Sequence, residues 1–91
     1  MTEQKINQHI SNKERHKSYI IGGGEAAEIF LRNPISSQYL IFGIFDDDPK
    51  LHGNSIQGIP VLGAINKLKH FIQNNYVQNI IYLIPSIEIE K

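Results

Sequence analysis

Cysteine is absent from the 91 residues, which excludes disulfide cross-links and thiolate chemistry and suits a reducing compartment. Charge of one sign is lacking as well: nine Lys and Arg balance nine Asp and Glu, for a formal net charge of zero. With no basic field and no aromatic residues interleaved among basic ones, nucleic acid is not an expected partner. No apolar run approaches the roughly 20 residues of a membrane span. The polar amino end, Met1 to Lys17, holds no apolar core of signal-peptide type. The expectation is a soluble, cytoplasmic chain with no membrane span.

Catalytic constellations are missing too. His9, His16, His52 and His70 do not fall at metal-ligand spacings. Ser86 lacks a nucleophile elbow and a nearby histidine. No tyrosine sits in a Tyr-x-x-x-Lys arrangement, where a lysine would lower its pKa for proton transfer. Tyr19, Tyr39, Tyr76 and Tyr82 therefore read as packing residues, and the chain is not expected to be catalytic on its own.

What is present suits one small globular domain: hydrophobic residues make up 41% and charged residues 20%. A domain of this size buries only about 60–65% of its unfolded surface. Another domain or a second copy of the chain is accordingly an expected partner. Residues 1–16 read as a flexible polar leader, and order begins near residue 17 and runs to residue 91.

Ser18 to Ile21 is a short apolar run stopped by Gly22, Gly23 and Gly24, the pattern of a buried strand. Glu25 to Arg32 follows with helix formers and an apolar stripe, and ends at Asn33-Pro34, because a residue before proline is pushed out of helical geometry. Tyr39 to Phe45 is nearly continuous in apolar residues, as expected of a strand covered on both faces. Leu51 to Gly58 reads as loop with turns at Gly53-Asn54 and Gln57-Gly58. Ile59 to Leu62 reads as a brief edge strand, and Asn66 as the cap of a helix bearing Leu68, Phe71 and Ile72. Ile80 to Ile84 is a last buried strand, closed by Pro85-Ser86. Helices alternating with apolar strands predict an α/β domain with a small, mostly parallel sheet of about four strands between helical layers.

Gly22-x-Gly24-x-x-Ala27 matches the dinucleotide-binding fingerprint in its alanine-ending form, between a strand and a helix. Gly22 permits the sharp exit from the strand, Gly24 lets a pyrophosphate approach the backbone, and Ala27 lets the helix pack closely on the sheet. The new helix presents unpaired amides and a positive dipole end to an anion. Asp46 lies at the end of the second strand, about 20 residues on, where the fingerprint places a ribose ligand. The fold expected is thus a Rossmann-like three-layer domain, a partial doubly wound sheet. A second reading stays open: the glycines serve only a tight turn, Asp46 to Asp48 are turn residues, and the domain is a ligand-free interaction module. Glu25, at the helix start, would oppose a phosphate.

Four blocks together are more specific than any one: Ile21 to Ala27, Phe42 to Pro49, Leu51-His52-Gly53, and Gly58 to Gly63. With the closing Asn79 to Ser86 they resemble the Rossmann-like domain of bacterial polysaccharide-biosynthesis proteins of the nucleoside-diphosphate-sugar epimerase/dehydratase type. That domain precedes a catalytic dehydrogenase-type domain, which is not found in these residues. The first four blocks are also similar to the amino-terminal domain of hexapeptide-repeat sugar-nucleotide acyltransferases, whose glycine turn carries a histidine absent here. The resemblance implies NAD(P) or a nucleotide sugar as ligand. The candidate binding set is Gly22, Gly23, Gly24, Glu25, Ala26, Asp46, Asp47, Pro85 and Ser86.

Overall fold

The computed structural model describes residues 15–84. A five-stranded sheet runs in the order β3-β4-β2-β1-β5. The strands are β1 (His16–Ile21), β2 (Tyr39–Phe45), β3 (Ser55–Ile56), β4 (Ile59–Gly63) and β5 (Asn79–Tyr82). Neighbouring strands are parallel except β3 and β4, which form an antiparallel hairpin. Helix α1 (Glu25–Arg32) links β1 to β2, and α2 (Leu68–Asn74) links β4 to β5.

The helices lie on opposite faces. On one, Ala27 of α1 packs with Ile20, Ile44 and Val61, all buried. On the other, Phe71 of α2 stacks edge-on against Tyr19 and Phe45 at ring-centroid distances of 6.2 and 5.3 Å. The result is the Rossmann-like three-layer fold that the order of strands, turn and helix predicts.

A register shift explains how one apolar run serves both layers. Ser18 pairs with Ile41 and Tyr19 with Gly43, which leaves Phe42 as an extra residue in β2. Ile41 and Ile44 thereby both reach the α1 layer, while Phe42 and Phe45 both reach Tyr19 on the other side.

Several local expectations are revised. The segment read as a loop carries β3, turned back into β4 at Gln57 and Gly58, whose φ values of 50° and 84° suit a two-residue hairpin turn. Asn66 does not cap α2: it lies inside a 3₁₀ turn, Ile65–Lys67, that leads into the helix. The last strand ends at Tyr82, so Leu83 and Ile84 belong to the loop beyond it. Two tyrosines expected in packing are exposed, Tyr76 at 73% and Tyr82 at 67%. Tyr82 pairs in register with Ile21 at the last position of β5, the outermost strand. Among the described residues, no helix is long and apolar enough to cross a membrane.

Candidate functional site

The carboxyl ends of the parallel strands converge on one edge, where backbone hydrogen bonds lock the emerging loops together. The Gly22 amide donates to the Phe45 carbonyl at 2.8 Å, Leu83 to Ile21 at 2.8 Å, and Asp46 to Gly63 at 2.9 Å. Strand order reverses at β1, with β2 on one side and β5 on the other, and that reversal is where open α/β sheets form their ligand crevice. A cleft of about 380 Å³ opens there, lined by Gly22, Gly24, Glu25, Ala26, Asp46, Asp47, Ile65, Leu83 and Ile84.

The glycine turn forms its floor. Gly22 has a φ of +110°, and a Cβ there would lie 2.8 Å from the Leu83 carbonyl oxygen, so both conformation and space require glycine. At Gly24 a Cβ would meet nothing within 4 Å. Gly24 is also the N-cap of α1 and supplies no side-chain cap. The first amides of a helix have no acceptor one turn back; the Ala27 amide bonds to the Gly24 carbonyl at 3.1 Å, which leaves the Glu25 and Ala26 amides as the open donors beside the unfilled space at Gly24.

The acids come from the β2 end and are held by backbone. Asp46 Oδ2 accepts from the Gly23 amide at 2.7 Å, and Asp46 Oδ1 from the Asp48 amide at 2.8 Å. Asp47 Oδ1 accepts from the Ile65 amide at 2.8 Å, tying the β2 loop to the turn that begins α2. His52 Nε2 donates to the Asp46 carbonyl at 2.6 Å, which ties the residue after β2 to the turn at 49–52.

Of the residues singled out from sequence, Gly22, Gly24, Glu25, Ala26, Asp46 and Asp47 line the cleft together. Gly23 sits beneath it, its amide bound to Asp46 and its Cα facing Ile56, Leu51 and Ile44. Pro85 and Ser86 lie outside the described residues. Ile65, Leu83 and Ile84 line the cleft without having been singled out. Their signal was positional: each follows the carboxyl end of a parallel strand.

Three crystal structures share the fold. The Rex-family repressor RSP superposes with a TM-score of 0.69 at 24% identity, over 96% of this chain and 42% of that one. RSP in complex with beta-NADH gives 0.68 at 24%, over 96% and 43%. RSP in complex with beta-NAD+ and operator DNA gives 0.69 at 23%, over 90% and 38%. This chain thus spans about two fifths of those proteins. No curated protein matches it.

The exclusion of nucleic acid drawn from charge is overturned, because a protein of this fold has been crystallised with operator DNA. A net charge is a sum over one chain, and these residues correspond to only 38% of that protein. Their neutrality says nothing of surfaces supplied by the remainder.

The chain is a nucleotide-binding domain of Rossmann-like architecture. A family model described as a CoA-binding domain matches residues 2–91, and the chain belongs to that family.

Proposed function

We propose that this domain binds a nucleotide across the carboxyl ends of β1 and β2, with its diphosphate at Gly22 to Gly24 and its ribose at Asp46. The observation that carries the reading is the 2.7 Å bond from the Gly23 amide to Asp46 Oδ2. It joins the glycine turn to the acid at one cleft, which supports a diphosphate on the first and a ribose on the second. The uncapped start of α1 and the open space at Gly24 fit a diphosphate.

Two ligand classes have support. The RSP complexes with beta-NAD+ and beta-NADH favour a nicotinamide dinucleotide. The resemblance of the Ile21 to Ser86 blocks to nucleoside-diphosphate-sugar proteins favours a UDP-sugar and a place in bacterial polysaccharide biosynthesis. On either ligand the domain holds and orients, and chemistry falls to another domain.

Thermal unfolding in the presence of NAD+, NADH, coenzyme A and UDP-glucose tests the reading. A ligand at 100 times its Kd stabilises by about 2.7 kcal/mol, which raises Tm by roughly 10 °C or more in a domain this small. Gly24→Val should unfold near the wild-type temperature without ligand and lose the rise with it. No rise for any of the four at millimolar concentration refutes the reading.

A further inference from the structure

We propose that His52 is the positioning residue of the cleft, holding Asp46 in place for the ligand's sugar, a role that rests on the nucleotide-binding reading for its ligand. His52 does not line the cleft, and it lies in the Leu51-His52-Gly53 block, which takes no direct part in the proposed nucleotide contacts. It acts through Asp46.

Asp46 is tied at every polar group it has. Its amide donates to the Gly63 carbonyl at 2.9 Å, its Oδ2 accepts from the Gly23 amide at 2.7 Å, and its Oδ1 from the Asp48 amide at 2.8 Å. Its carbonyl accepts from His52 Nε2 at 2.6 Å. The first three partners are main-chain groups, which almost any residue at those positions would supply. Only the fourth depends on the partner's side chain. A carbonyl accepts and cannot donate, so the contact requires the imidazole proton on Nε2. The opposite neutral tautomer would set two acceptors against each other.

The imidazole is carried on a firm support. The Gly53 amide donates to the Val61 carbonyl at 3.3 Å, the Val61 amide to the Asn54 carbonyl at 2.8 Å, and Val61 is buried in the core. Leu51 lies beneath the glycine turn, where a Cβ on Gly23 would meet its Cδ1 at 3.3 Å. Adjacent residues thus brace the two halves of the site, Leu51 the turn and His52 the acid. Because a peptide unit is planar, holding the Asp46 carbonyl also sets the course of the main chain into Asp47, whose carboxylate takes the Ile65 amide at 2.8 Å. Without the imidazole that peptide is free to rotate, and the Asp46 carboxylate exchanges its amide partners for water.

NMR of the whole chain, alone and titrated with NADH, tests this in the wild type, His52→Ala and His52→Gln. Glutamine offers a side-chain N–H at the reach of Nε2, and alanine offers none. The neutral wild-type ring should show a protonated Nε2 and a bare Nδ1. In His52→Ala the Gly23 and Asp48 amide protons, deshielded by their carboxylate acceptor, should move upfield and exchange faster with solvent. His52→Gln should return them. The affinity for NADH should fall by about three- to tenfold in His52→Ala, the scale of one hydrogen bond, and recover in His52→Gln. A bare Nε2, unmoved Gly23 and Asp48 amides in His52→Ala, unchanged affinity there, or a loss that His52→Gln fails to restore overturns the proposal and leaves the nucleotide reading standing. NADH that leaves the wild-type spectrum unchanged counts against the nucleotide reading, and the ligand-free resonances of the two variants then decide the role of His52 by themselves.

Discussion

The Gly23 amide and the Asp46 carboxylate meet at 2.7 Å, across 23 positions of sequence. The glycine turn after β1 and the acid after β2 are therefore one structural unit. Asp46 restrains the turn from the side with one oxygen and organises its own loop through the Asp48 amide with the other.

Removing that carboxylate should loosen both loops. Asp46→Ala leaves the part-buried Gly23 amide without its acceptor, at a cost of about 1–3 kcal/mol. Urea unfolding should show the loss. Amide exchange should quicken first at Gly23 and Asp48.

Gly22 and Gly24 should respond in opposite ways to an added methyl group. Gly22→Ala combines a positive φ with a Cβ placed 2.8 Å from the Leu83 carbonyl, and should destabilise by upwards of about 2 kcal/mol. Gly24→Ala, with a φ of −89° and open space at its Cβ, should cost only on the order of 0.5 kcal/mol or less. Paired unfolding curves check the contrast.

Tyr19 makes stability depend on alkaline pH. Burial pushes its hydroxyl above the usual value, and the Asn75 side chain partly offsets this. Above about pH 10 the folded state keeps a proton that the unfolded chain has released, so stability falls as pH rises. Below that pH the contribution is complete. Tyr19→Phe should flatten the decline, as measured by urea unfolding across the alkaline range.

Ala27 is fully buried against Ile20, Ile44 and Val61. Ala27→Leu should therefore separate α1 from the sheet and cost about 1–3 kcal/mol. A matching change at Ile29, which is exposed on the same helix, should stay within about 0.5 kcal/mol.

The order of elements was legible wherever punctuation was local. Helix α1 occupies Glu25–Arg32 as read, because Gly24 opens it and Asn33-Pro34 forces an extended residue at its end. The run from Tyr39 to Phe45 is the second strand as read. What sequence concealed depends on partners distant along the chain. The shift at Phe42 exists only in register with β1. The two-residue β3 pairs only with β4, so the turn at Gln57-Gly58 was legible while the strand leading into it was not. Asn66 looked like a cap, but the Asp47 carboxylate takes the Ile65 amide instead and sets a 3₁₀ turn there. At the cleft, the glycines and acids were visible as residue types. Ile65, Leu83 and Ile84 were not, because their place in the lining comes from strand ends meeting at one edge.

Backbone amide NMR during a titration with NADH tests the central claim most directly, since it locates any contact residue by residue. The account predicts saturable shifts at Gly24, Glu25 and Ala26, with smaller ones at Gly23 and at the Asp46–Asp48 loop. Absence of any shift at millimolar NADH, or shifts confined to residues outside the cleft, would contradict it.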